Sequence, residues 1–266
     1  MRFVRPFQGL DPFEITALVY NPLTENSPLK LRDTLPAEEL LEVSMMQFIR
    51  QFLVDVQAQQ PLKLTQKGNL SRKFIHQMYD HRFFPSEHVD SGFSKLLQEL
   101  DFSPLHIGHV ISKFAGLVRK YNNKLSVTKK GVRALEDASV LYREILLAHT
   151  SKFNWSYLSY DPDDVVQLGW AYILHAFIKH GDKERNASFY AEKYLELFPE
   201  MLEQFPQNQY FPPERRFANC FQLRFFSKFC NFFGLADYRV EKDEKGFQKN
   251  LFVKKKPLAD KVFVIG

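Results

Sequence analysis

Cysteine is almost missing from this chain: only Cys220 and Cys230 occur in 266 residues. They lie ten positions apart on what reads as one helix, about 15 Å along its axis, which is too far for a disulfide between them. A reducing, cytoplasmic setting is therefore expected. No apolar run approaches the ~20 residues needed to cross a bilayer, and the opening MRFVRPFQGL lacks the apolar block of a secretory leader, so no membrane partner is expected. Also missing are the Walker A loop, Gly-x-Gly-x-x-Gly, Gly-x-Ser-x-Gly and His-Glu-x-x-His, and no positioned His accompanies either Cys. Neither an enzyme nor a bound cofactor is expected.

What the chain has in abundance is aromatic carbon. It holds 27 Phe within a hydrophobic share of 45% and a charged share of 25%, an ordinary balance for a globular protein, so a core built with rings is expected. The length suits one large domain or two of usual size. The net charge of +5 is unevenly placed. Residues 105–135 carry seven basic side chains (Lys113, Arg119, Lys120, Lys124, Lys129, Lys130 and Arg133) and no acidic one, and residues 212–266 carry twelve basic and six acidic. The rest of the chain is acidic, with 17 basic and 25 acidic residues. Such segregation fits an acidic partner such as nucleic acid, and it equally fits two solvated hairpins.

The stretch 103–133 organises the chain. Ser103 is a candidate helix cap, with Pro104 tolerated in the first turn. Ile107, Val110, Ile111, Phe114 and Leu117 then recur at three- and four-residue intervals, one apolar helical stripe, which makes Phe114 an expected core residue. Runs 117–121 and 125–128 alternate as strands. The Asn122-Asn123 pair between them tolerates positive φ and suits a tight turn, and Gly131 is expected to end the second strand.

Before this stretch, residues 1–35 read as an irregular arm packed through Phe3, Phe7 and Phe13. A long helix is expected from Pro36 to about Gln59, with Leu40, Met46, Phe48, Ile49, Phe52, Leu53 and Val56 on its apolar face. Leu62-Lys63-Leu64-Thr65 reads as a short strand and Lys67-Gly68 as a turn. Ser71 is placed to cap a helix reaching Tyr79, with a further helical turn or two over 94–100.

After it, helix continues over 135–149. Asp161-Pro162-Asp163-Asp164 reads as the capped start of a helix burying Val166, Trp170, Ile173, Leu174, Phe177 and Ile178 and closed by Gly181. Helices follow over 189–198 and 214–233, then a second hairpin over 235–241 and 248–253. Its lead-in, Ser227-Lys228-Phe229-Cys230 with Gly234-Leu235 beyond, echoes Ser112-Lys113-Phe114-Ala115-Gly116-Leu117. No short strand is visible between the first two helices of this half.

His76, Asp80, His81, Glu87 and His88 invite a metal reading, but no Cys or paired motif joins them, and scattered surface polarity explains them as well. His106 and His109 sit at the start of the central helix, and His175 and His180 near the end of another, where a helix dipole welcomes them. Trp155, Tyr157 and Tyr160 could stack on bases or belong to the core. Arg224, Ser227, Lys228 and Asn231 form a polar stripe that is either a groove-facing surface or a plain solvent face.

The order helix, short strand, helix, helix, hairpin over about 36–135 resembles the winged-helix superfamily. The residues carrying the resemblance are Gly116-Leu117-Val118 and Leu125-Ser126-Val127-Thr128-Lys129-Lys130-Gly131, with 80–92 as an insertion. The second half resembles it in part. Leu62–Phe74 and 153–160 are also similar to segments of bacterial proteins of unassigned function. The resemblance implies a mainly α protein with small β-hairpins (α+β) and tandem winged-helix-like modules. Its expected parts are an arm over 1–35, a module over 36–135 and a helical region over 136–266 ending in a second module. DNA is the implied partner, contacted by Lys113, Arg119, Lys120, Lys124, Lys129 and Lys130 in the first module and by Arg224, Lys228, Lys249, Lys254, Lys255 and Lys256 in the second. The other reading is a scaffold binding a protein partner, because one fold hosts many functions.

Overall fold

Asp11 starts the first helix. Its carboxylate accepts the N–H groups of Phe13 and Glu14 while Glu14 takes the Asp11 N–H, a capping box. The computed structural model describes residues 9–159, 161–207, 211–242, 244, 246 and 248–266. Helix α1 (Pro12–Tyr20) and strand β1 (Leu29–Leu31) replace the expected irregular arm. Phe13 is 85% exposed and does not anchor it, and Phe3 and Phe7 lie outside the described residues. The protein is α+β, mostly helical with small antiparallel sheets, in two units: residues 36–153, and residues 1–35 with 154–266.

In the 36–153 unit, α2 (Ala37–Leu40) and α3 (Ser44–Ala58) divide the expected single long helix. Strand β2 (Leu62–Lys63) leads into α4 (Arg72–Asp80), where the Ser71 hydroxyl accepts the Phe74 N–H as expected. A short α5 (Glu87–Asp90) and a 3-10 turn (Glu99–Asp101) precede α6 (Ser103–Phe114). Strands β3 (Val118–Tyr121) and β4 (Lys124–Val127) follow, then α7 (Lys129–Glu136) and α8 (Ala138–Ser151). The sheet order is β2-β4-β3. Both α7 and α8 pack within this unit, so it extends past 135.

Two expectations fail around α6. Ser103 is the first helical residue and caps nothing, since Phe102 holds the cap position. The helix is also rotated: Leu105, Gly108, His109, Ile111 and Ser112 are buried, while Phe114 is 42% exposed. The reason is a buried carboxylate. Glu99, 3% exposed, accepts His106 Nδ1 at 3.0 Å, His109 Nδ1 at 2.8 Å and the Leu70 N–H at 2.8 Å, so two polar side chains of α6 turn inward. Gly108 faces Phe48 and Ile49 of α3. Gly131 does not end β4, which stops at Val127. It lies in α7, capped by Thr128, where a methyl group would collide with the Leu117 carbonyl and the Val127 side chain.

In the other unit, α9 (Trp170–His180), β5 (Arg185–Asn186), α10 (Ser188–Leu197) and α11 (Glu200–Glu203) lead to α12 (Pro213–Phe221). The chain then continues as π-helix over Gln222–Cys230. Strands β6 (Ala236–Lys242) and β7 (Gln248–Lys255), α13 (Pro257–Val262) and β8 (Phe263–Ile265) complete it. β8 pairs antiparallel with β1, and α1 packs on α9. Strand β5 was not expected. At two residues it is too short for alternation to reveal, yet it pairs with β7, and the order β5-β7-β6 repeats β2-β4-β3.

The repeat extends to single hydrogen bonds. Gly116 and Gly234, both with positive φ, end their helices, and Leu117 and Leu235 each donate to the carbonyl five residues back. The Leu117 carbonyl accepts Thr128 N–H, and the Leu235 carbonyl accepts Lys256 N–H, both at 2.9 Å. The Ser-Lys-Phe echo in the letters is three positions out of step with this match. Among the described residues no helix is long and apolar enough to cross a membrane.

Ile111→Ala is expected to cost ~2–5 kcal/mol, as for a buried large aliphatic residue. Phe114→Ala is expected to stay below about 1 kcal/mol, the level of partly exposed changes; urea titration of both variants checks the rotation of α6. For Glu99, burial raises its pKa, but the hydrogen bonds from His106 and His109, the His109 charge and the Leu70 N–H outweigh it and hold it at about 2. Its ionised form therefore stabilises the fold above the usual carboxylate pKa of ~4.3, and that contribution is lost as pH falls toward about 2. The stability gap between wild type and Glu99→Gln, measured by urea titration across pH, is expected to be widest near neutrality and to close on acidification.

Candidate nucleic-acid interface

The first hairpin turns through Asn122 and Asn123 at φ 46° and 53°, as a two-residue turn between twisted strands requires. Register then sorts its side chains. Tyr121, Lys124 and Lys63 are cross-strand partners, and Arg119 pairs with Ser126, so these five share one sheet face. Leu62, Val118 and Leu125 are buried on the other. Lys120, the partner of Leu125, belongs to that second face at its exposed rim, with its ammonium against Gly68.

Lys113, Arg119, Lys120, Lys124 and Lys129 are all exposed. Lys113 lies at the end of α6, and Lys129 and Lys130 open α7 rather than extending the hairpin. Lys130 is ion-paired with Glu144. Among the described residues, no carboxylate comes within ion-pair distance of Lys63, Lys113, Arg119, Lys120, Lys124 or Lys129. Sequence reasoning passed over Lys63 and Tyr121, although alternation in Leu62-Lys63-Leu64 already directs Lys63 outward.

The second basic segment is different. Arg224 is fully buried. Its Nη1 donates to the carbonyls of Pro162 (2.5 Å), Asp163 (3.2 Å) and Val165 (2.9 Å), and its Nη2 to that of Asp161 (3.1 Å). This corrects two expectations. Arg224 has no face left for a phosphate, because the i→i+5 winding of the π-helix changes which side chains turn inward. Residues 161–169, four of whose carbonyls it gathers, are not helical, so the helix starts only at Trp170.

Lys228 is half-buried and donates to the Tyr157 carbonyl, and burial, with the adjoining Arg224 charge, lowers its pKa. Lys255 is buried against Asp182, Asp260 and the Ile178 carbonyl, so it too is removed from any ligand. Lys256 sits 3.4 Å from Asp237, and Arg239 pairs with Glu184. Lys249 and Lys254 remain exposed, Lys254 directly opposite Asp237. The second hairpin is thus partly paired: Arg239, Lys255 and Lys256 meet carboxylates, three of them from outside the hairpin.

Trp155 is buried and stacked on Phe229, Tyr157 is partly exposed, and Tyr160 lies outside the described residues. Among the described residues no group of three or more His, Cys, Asp or Glu is placed to hold a metal ion; His81 instead meets Asp55 at 2.8 Å. Both cysteines are free and buried, and burial pushes the Cys220 thiol up to about 12.

Residues 42–140 match the model of one protein family, described as the Y4jL N-terminal domain. That match falls inside the 36–153 unit, which contains the carboxylate-free hairpin. No curated protein matches the chain, and no solved structure does.

Arg224→Met is expected to destabilise the fold by ~3–5 kcal/mol, since it leaves buried carbonyls without their charged donor. Lys249→Ala, at an exposed site, is expected to stay within ~0.5 kcal/mol. Urea titration of the two variants tests the structural role of Arg224.

Proposed function

We propose that this protein is a non-enzymatic, cytoplasmic DNA-binding protein built from two winged-helix-like modules, with the 36–153 unit as the binding module. The observation that carries the reading is the cationic hairpin face of Lys63, Arg119 and Lys124, with Lys113, Lys120 and Lys129 around it and no carboxylate in ion-pair range among the described residues. Cations left without partners keep their full attraction for phosphates and release condensed counterions on binding. The repeated sheet order and helix-end hydrogen bonds support the tandem-module part, and the two buried thiols fit a reducing compartment. The 154–266 unit, in which Arg224 is buried and Arg239, Lys255 and Lys256 meet carboxylates, has the supporting role.

A second reading, a scaffold for a protein partner, draws on Phe93, Leu97 and Leu100, which stand exposed in the segment between α5 and α6.

Fluorescence anisotropy with labelled DNA at low salt tests the first reading. Each lost phosphate contact flattens the plot of log K against log[salt] by ~0.9 for duplex. Changing Arg119 and Lys124 together to Ala is expected to weaken binding similarly across sequences and to reduce that slope by up to ~1.8, with the circular dichroism spectrum unchanged. Absence of wild-type binding at low salt would reject the proposal and favour the scaffold.

A further inference from the structure

The face that carries the cations also carries a ring, and the ring specifies the form of nucleic acid. Resting on the reading above, we infer that the β2-β4-β3 sheet face takes single-stranded nucleic acid, with a base stacked on Tyr121 and the backbone held by Lys63, Arg119 and Lys124. Lys63, Lys124 and Tyr121 form one row across the three strands. Arg119 stands two residues back along β3, about 7 Å away at the strand rise of ~3.4 Å per residue. Lys63 and Lys124 oppose each other directly, a like-charge pair that weakens a sheet, and no carboxylate among the described residues relieves it. A repulsion of that kind is relieved by an anion lying along the row.

Tyr121 is 70% exposed. Among the described residues its ring has no aromatic contact and its hydroxyl no hydrogen bond. It closes β3 beside a two-residue turn and is paired across the hairpin with Lys124, so the strand pairing sets its position. In a duplex each base face is covered by its neighbours, and a surface ring meets only edges and phosphates. An unpaired strand presents base faces, and stacking on an aromatic side chain contributes ~1–3 kcal/mol per base, whatever the sequence. Lys120 faces the other side of the sheet, so the cations on the Tyr121 side are Lys63, Arg119 and Lys124.

The test uses the full chain with two labelled probes at low salt, a short oligo-dT strand and a blunt duplex of mixed sequence. Wild type is expected to prefer the single strand. Tyr121→Ala should lower affinity for oligo-dT by roughly thirtyfold, the middle of the stacking range, and for the duplex by less than about twofold. Tyr121→Phe should retain wild-type behaviour, because the ring and not the hydroxyl makes the contact. A duplex preference, or an equal effect of Tyr121→Ala on both probes or on neither, would overturn the stacking inference while leaving salt-dependent DNA binding intact. Failure to bind either probe would remove both readings.

Discussion

Leu117 is the constraint on which the 36–153 unit depends. It is buried, its N–H closes the end of α6 on the Ser112 carbonyl, and its own carbonyl accepts Thr128 N–H. One residue thereby ties together the helix end, the base of the hairpin and the start of α7. Gly116 makes this possible, because the chain must pass through positive φ to leave the helix and enter β3 at once. Gly131 completes the joint by bringing α7 against the same carbonyl. The other unit repeats the arrangement with Gly234, Leu235 and Lys256. Two separated stretches of sequence thus solve one geometric problem in the same way, though few of their letters match.

Between these shared joints the two hairpins have diverged in charge. The first projects Lys63, Arg119 and Lys124 from one face without opposing acids. The second sets Asp237 against Lys254 and Lys256, Glu184 against Arg239, and Asp182 and Asp260 against Lys255. Similar net charges in the sequence therefore describe different surfaces, one without opposing acids among the described residues and one partly paired within the chain. Charge counted along a chain measures supply. Whether that charge is available depends on what folds beside it.

Polar groups inside each unit orient its helices. Glu99 draws His106 and His109 inward and rotates α6 so that Phe114 reaches solvent. Arg224 gathers four carbonyls and keeps 161–168 from joining α9. In both places the buried charge is accompanied by several hydrogen-bond partners, the condition under which such groups are tolerated. Arg224 governs a segment some sixty positions earlier in the chain, a separation that periodicity cannot register, whereas Glu99 acts across seven and ten positions.

The sequence by itself determined the elements with strong local signals. The apolar periodicity of α3 and α9, the Ser71 cap, the Asn122-Asn123 turn, the Lys67-Gly68 turn and both hairpins are all legible, because capping, φ preference and alternation act within a few residues. The concentration of positive charge around 105–135 was legible for the same reason. Tertiary structure alone decided the rest. Strand β5 exists because β7 offers it a partner, and the π-helix turned Arg224 from a surface candidate into a buried one. Lys255 was likewise removed from solvent by Asp182, which lies 73 positions earlier in the chain. The sheet register, by contrast, brought Lys63 and Tyr121 to the cationic face. Those outcomes depend on which remote acceptor or strand edge meets each group, and no local pattern of residues encodes that meeting.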